Sequence, residues 1–138
     1  MENKLNIVIA EDDQDDAEFI HSSFLESGQF NSIHLVEDGE ELIHFLNSAF
    51  PPPDLILMDL NMPKKNGYDV LLEISQNLNH QKIPVFIYST STNPSYMEKC
   101  YELGAKAFLV KPFCLEDYKK LPYKMLDLFY EIEQENLK

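Results

Sequence analysis

Five short apolar runs, residues 5–10, 32–36, 55–58, 85–88 and 107–110, alternate with segments whose apolar residues recur three and four positions apart. This alternation constrains the fold more than any other feature, because a run of strand length followed each time by a helix-period segment builds right-handed crossovers. The helical faces are Ala17, Ile20 and Phe24; Leu42, Ile43 and Leu46; Leu71, Ile74 and Leu78; Tyr96, Cys100 and Leu103; and Leu121, Met125, Leu128 and Ile132. Repeated crossovers imply a parallel sheet covered by helices on both faces, a small doubly wound α/β sandwich. Turn signals at Gly28, Pro51-Pro52-Pro53, Asn66-Gly67 and Gly104 fall between the periodic segments. Pro122 falls inside the last pattern, 115–134, and predicts a kink or a second helix start. The 138 residues, 44% of them hydrophobic, suit one domain with a sizeable core.

In such a sheet the side chains that follow the carboxyl ends of the strands gather along one edge, where ligands bind. Here they are Glu11-Asp12-Asp13 after the first strand, Asp59 after the third, Ser89-Thr90 after the fourth and Lys111-Pro112 after the fifth. A helix start accounts for part of the acidic run: Asp13 as N-cap, with Asp16 as the third helical residue. Glu11 and Asp12 precede the cap and need another reason. If the first and third strands are neighbours, their carboxylates sit about 5 Å apart and repel by roughly 3 kcal/mol at an effective dielectric of about 20. Lys111 offsets one charge; a hard divalent cation with oxygen ligands accounts better for Glu11, Asp12 and Asp59 together, and magnesium fits best because it keeps waters that a phosphate can displace. Cys100 and Cys114 are read as reduced thiols, and His21, His34, His44 and His80 lack ligand spacing and are read as surface or partly packed residues. Asp59, between a cation and a lysine, has the surroundings of a nucleophile toward a phosphoryl group.

Read in order, "IVIAEDD", "LVEDGEEL", "DLILMDLNMPKKNGYDVL", "PVFIYSTS" and "GAKAFLVKPF" resemble the receiver domain of two-component response regulators over nearly the whole chain, 1–138, and the wording is most like the single-domain, phytochrome-associated receivers. The resemblance implies a CheY-like, flavodoxin-like sheet of five parallel strands in the order 2-1-3-4-5 with five helices, and a single receiver domain without an output domain. It implies Asp59 as phosphoacceptor and a magnesium site from Asp12 directly, Glu11 through water, Asp59, and the Asn61 carbonyl. Lys111 is expected to bind a phosphoryl oxygen, with a cis bond to Pro112.

Ser89 is expected as the switch hydroxyl, preferred to its neighbour Thr90, with Phe108 turning inward behind it. Asn61 and Ser91 stand at positions that tune phosphoryl lifetime in that family. The implied partners are a sensor histidine kinase or phosphotransfer protein and a downstream protein meeting the surface from 96 to 101 and 107 to 109; dimerisation stays open. On this reading the chain is no enzyme beyond promoting its own phosphorylation and hydrolysis. A phosphorylation-independent binding module is the alternative. A haloacid-type phosphohydrolase is disfavoured because Asn61 stands where its general acid belongs, and a flavin protein because carboxylates fill the phosphate loop. Eleven basic residues against 24 acidic ones give a net charge of -13, which repels nucleic acid and anionic membranes. The absence of a long apolar segment predicts a cytoplasmic protein.

Overall fold

The computed structural model describes residues 4–136. Five strands and five helices alternate: β1 (Leu5–Ala10), α1 (Gln14–Ser27), β2 (Phe30–Val36), α2 (Gly39–Ser48), β3 (Leu55–Asp59), α3 (Gly67–Ser75), β4 (Val85–Ser89), α4 (Pro94–Glu102), β5 (Ala107–Val110) and α5 (Leu115–Asn136). The strands are all parallel, in the order β2-β1-β3-β4-β5, as the alternation predicts. Every residue of β3 and β4 is buried, because central parallel strands are covered on both faces. No helix among the described residues is long and apolar enough to cross a membrane.

Side-chain caps start the first four helices. Asp13 caps α1 by accepting the Asp16 amide, Asp38 caps α2 from Glu41, and Asn66 caps α3 from Asp69. Asn93 caps α4, whose first residue is Pro94. Gly28, at φ 66°, closes α1 in the left-handed conformation.

Alternation along the strands divides the core. Ile7, Ile9, Leu57, Phe86, Tyr88 and Leu109 face α1 and α5, packing on Ile20, Phe24, Leu121 and Met125. Val8, Met58, Val85 and Ile87 face the other way, toward Leu42, Leu46, Val70, Leu71 and Ile74 of α2 and α3 and Cys100 of α4.

Three expectations need correction. Pro122 neither restarts nor ends the last helix: α5 runs unbroken with Pro122 buried in its apolar stripe. The bond that Pro122 cannot donate belongs to the Tyr118 carbonyl, a local cost of about 3 kcal/mol. Burial of Tyr118, Leu121, Met125, Leu126 and Phe129 along the same face outweighs it. Leu78 lies outside α3, which ends at Ser75, and is 82% exposed. Finally, the cis bond among the described residues is Phe50–Pro51, so Lys111–Pro112 is trans, the lower-energy isomer even before proline.

Candidate functional site

β1, β3, β4 and β5 deliver their last side chains to one edge with a parity fixed by the pleat. Glu11 follows Ile7 and Ile9, Asp59 follows Leu55 and Leu57, and Lys111 follows Ala107 and Leu109. All three therefore stand on the α1/α5 side, together with Tyr88, the cross-strand partner of Asp59. Ser89 and Phe108 have the opposite parity and stand on the α4 side.

Lys111 Nζ is the hub. It lies 2.7 Å from Glu11 Oε1, 2.9 Å from Asp16 Oδ2 and 3.1 Å from Asp59 Oδ2. Its three N–H donors thus meet three carboxylates. Each carboxylate has further support. The Tyr88 hydroxyl donates a short hydrogen bond to Glu11 Oε1, and the Asp13 amide donates to Glu11 Oε2 at 3.1 Å. The Tyr118 hydroxyl, from α5, donates to Asp16 Oδ1 at 3.1 Å. The Asn61 amide donates to Asp59 Oδ1 at 3.2 Å.

Carboxylates outnumber the ammonium group. Oxygens of Glu11, Asp12 and Asp59 lie within 4.8 Å of one another, with Glu11 and Asp59 buried and Asp12 exposed. Burial pushes the Asp59 carboxyl up to about 6; Lys111 pulls against this, while the neighbouring Glu11 charge adds to it. The Asp12 carboxyl is also raised, by burial first. Burial alone lowers the Lys111 ammonium, but hydrogen bonds to Glu11 and Asp16 and the charge of Asp59 carry it above the usual lysine range. Burial, then the Glu11 charge, holds the Tyr88 phenol protonated.

A cluster of hard oxygen donors whose central carboxylate still resists ionisation beside a lysine fits a divalent cation of the oxygen-binding kind. Ser89 is fully buried, with its Oγ accepting the Ser91 amide at 3.2 Å, and it makes no hydrogen bond to Asp59. Thr90 and Asn61 are exposed, Ser91 and Pro112 half-buried. Phe108 is half-buried against the α4-side core, and its amide donates to the Tyr101 hydroxyl at 3.0 Å.

The sequence brings Glu11, Asp12, Asp59 and Lys111 together as expected, but three participants escape it. Asp16 does more than begin a helix, since it also binds Lys111. Tyr88 falls inside the apolar run 85–88 and Tyr118 is not singled out by the sequence; the signal there was that a buried tyrosine needs a partner for its hydroxyl. Among the histidines, read as surface or partly packed, His80 is buried, and its Nε2 lies 3.0 Å from the Leu46 carbonyl near the end of α2.

Residues 7–121 match the model of the response regulator receiver domain. The chain is 34% identical over 120 residues to the response regulator Rcp1 of Synechocystis sp., covering 83% of this chain and 82% of that one. A crystal structure of the Mn2+-bound form of Rcp1 has a TM-score of 0.77 at 32% identity, covering 88% of this chain and 91% of that one. The crystal structure of the phosphorylated cyanobacterial phytochrome response regulator RcpA has a TM-score of 0.82 at 29% identity, covering 93% and 95%. With the family model spanning most of the chain and the site residues converging on one sheet edge, the chain belongs to the response regulator receiver domain family of two-component systems.

Proposed function

We propose that this receiver accepts a phosphoryl group on Asp59 from a histidine kinase or a phosphotransfer protein and thereby alters a protein-binding surface around α4 and β5. The observation that carries this reading is the placement of Lys111 Nζ 3.1 Å from Asp59 Oδ2, in a cluster that still holds an excess of carboxylate. Glu11, Asp12, Asp59 and the Asn61 carbonyl would hold Mg2+, which supplies charge neutralisation for the phosphoryl oxygens.

An Asp59 oxygen attacks phosphorus, a new O–P bond forms, and the P–N bond to the donor imidazole breaks with the electron pair leaving on nitrogen. The lysine already beside Asp59 gives up a carboxylate partner and meets a phosphoryl oxygen. Ser89, one strand away with a hydroxyl proton free to turn, donates to another, and Phe108 fills the space behind it. The added dianion thus moves groups of the α4 side while the α1/α5 side keeps the charges in place. A net charge of -13 disfavours nucleic acid as the downstream partner.

Intact mass after incubation with acetyl phosphate and Mg2+ tests the reading. A single phosphoryl adduct is expected, absent without Mg2+ and in Asp59→Asn. If neither acetyl phosphate nor a beryllofluoride analogue bound, the chain would instead be a constitutive binding module.

A further inference from the structure

β4 runs Val85-Phe86-Ile87-Tyr88-Ser89, and every residue of it is buried. At position 88 a phenylalanine or leucine would satisfy the α1/α5 core, since the neighbours of the ring are apolar. A phenol there brings a hydroxyl out of water, a loss that only a hydrogen bond recovers. Its partner is Glu11 Oε1, in a side chain that is itself fully buried.

The lone pairs of Glu11 can be followed one at a time. A carboxylate oxygen accepts about two hydrogen bonds. Oε1 receives Tyr88 Oη–H and Lys111 Nζ–H and is full. Oε2 receives the Asp13 amide alone. One acceptor position therefore remains on Glu11, on Oε2, and its direction is set by what fills the other three. Lys111 does not set it alone, because its ammonium is shared with Asp16 and Asp59. The Tyr88 hydroxyl, carried on a fully buried strand, donates to Glu11 alone.

From this arrangement we infer that Tyr88 is a positioning residue for the cation site, holding Glu11 so that Oε2 alone is offered to a metal ion or its water. The inference rests on the reading of Glu11, Asp12 and Asp59 as a metal site. It explains why a tyrosine stands in an otherwise apolar strand beside the phosphoacceptor. Groups that orient a metal-binding carboxylate without touching the metal commonly change affinity by about 10- to 100-fold when removed.

The test is metal binding by the full chain, read from free Mn2+ by electron paramagnetic resonance and from Mg2+ competition. Tyr88→Phe keeps the ring that lies 5.4 Å from Lys111 Nζ and removes only the hydroxyl. Its Kd for Mn2+ is expected to weaken about tenfold. The Mg2+ concentration that half-saturates uptake of acetyl phosphate should rise by a similar factor, and by more than the rate at saturation falls. The Glu11→Gln variant weakens binding as well, and adding Tyr88→Phe to it should bring no further loss. That double variant lacks both the phenolic donor and the charge, so it also serves if Tyr88→Phe alone folds poorly. A Tyr88→Phe Kd within twofold of wild type, or a full additional loss on top of Glu11→Gln, overturns the positioning role. Failure of the wild-type chain to bind either ion overturns the metal site itself, a result separate from the first.

Discussion

On the sheet face toward α1 and α5, one ammonium touches three carboxylates, and two tyrosine hydroxyls each donate to one of them. On the face toward α4, the Ser89 hydroxyl accepts the Ser91 amide and Phe108 is half-buried. The helices differ in the same sense. α5 buries Tyr118, Leu121, Pro122, Met125, Leu126 and Phe129, whereas α4 buries Cys100 alone and leaves Tyr96 and Tyr101 largely exposed. On the proposed function, a phosphoryl group arriving at the edge would meet one side fixed by paired charges and, on the other, a helix α4 that buries Cys100 alone. Structural change should then follow the weaker restraint, which makes the α4 side the place where a signal would emerge.

The largest expected effect tests the packing half of this contrast. Met125→Ala removes a fully buried side chain from the α1/α5 core and should cost about 2–5 kcal/mol in urea unfolding. Cys100→Ala, the sole buried contribution of α4, should cost about 1 kcal/mol or less. Equal losses would mean that the two layers are equally restrained, and the contrast would fail.

Next in size is the charge at the boundary between the two sides. The Asp59 carboxyl sits at about 6 in the folded chain, above its ordinary value of 3.8. Between those values the folded state binds more protons than the unfolded one, so this group makes stability fall as pH rises from about 4 to 6. Above 6 the cost is complete, at most about 3 kcal/mol from the displacement of roughly two units. Asp59→Asn should therefore stabilise the metal-free chain by about 1–3 kcal/mol at pH 7.5, the lower figure allowing for the ion pair with Lys111 that the amide cannot make. Unfolding curves at several pH values check the sign, because the gain must shrink as pH drops through 6. A destabilised Asp59→Asn would show that the attraction of Lys111 outweighs burial.

These two contrasts differ in how far the sequence foretells them. The strands are legible because fully buried parallel strands need unbroken Val, Ile and Leu, and the caps because Asp and Asn bond their own next turn. Both are local chemistry. Glu11, Asp12, Asp59 and Lys111 are legible at one remove, since parallel topology alone carries strand ends to a common edge. Asp16 is not, because its place in the helix start already accounts for it locally, while its ion pair with Lys111 joins residues far apart in the sequence. Pro122 misleads for the converse reason: the missing hydrogen bond is local and visible, whereas the burial that offsets it depends on the partner surface of α5. Tyr88 was hidden by its ring, which fits an apolar strand so well that the hydroxyl draws no notice.

The smallest effect probes the looser side directly. β5 is an edge strand, and the amide of Phe108 points away from β4, where no further strand receives it. The Tyr101 hydroxyl of α4 accepts that amide at 3.0 Å and so ties the helix to the strand that carries Phe108, the proposed switch aromatic. An exposed hydrogen bond of this kind contributes only about 0.5–1 kcal/mol, so Tyr101→Phe should leave global stability within that margin. Hydrogen exchange at the Phe108 amide should nevertheless quicken several-fold, because the amide loses its one acceptor while the remainder of the sheet keeps its ladder. The same amide should lose protection in wild type on addition of beryllofluoride if α4 moves away from β5. Were exchange at Phe108 unchanged in both experiments, α4 would be held by something other than this bond. Any movement of α4 would then depend on its sparse burial alone, with the Tyr101 hydroxyl an incidental neighbour of the strand.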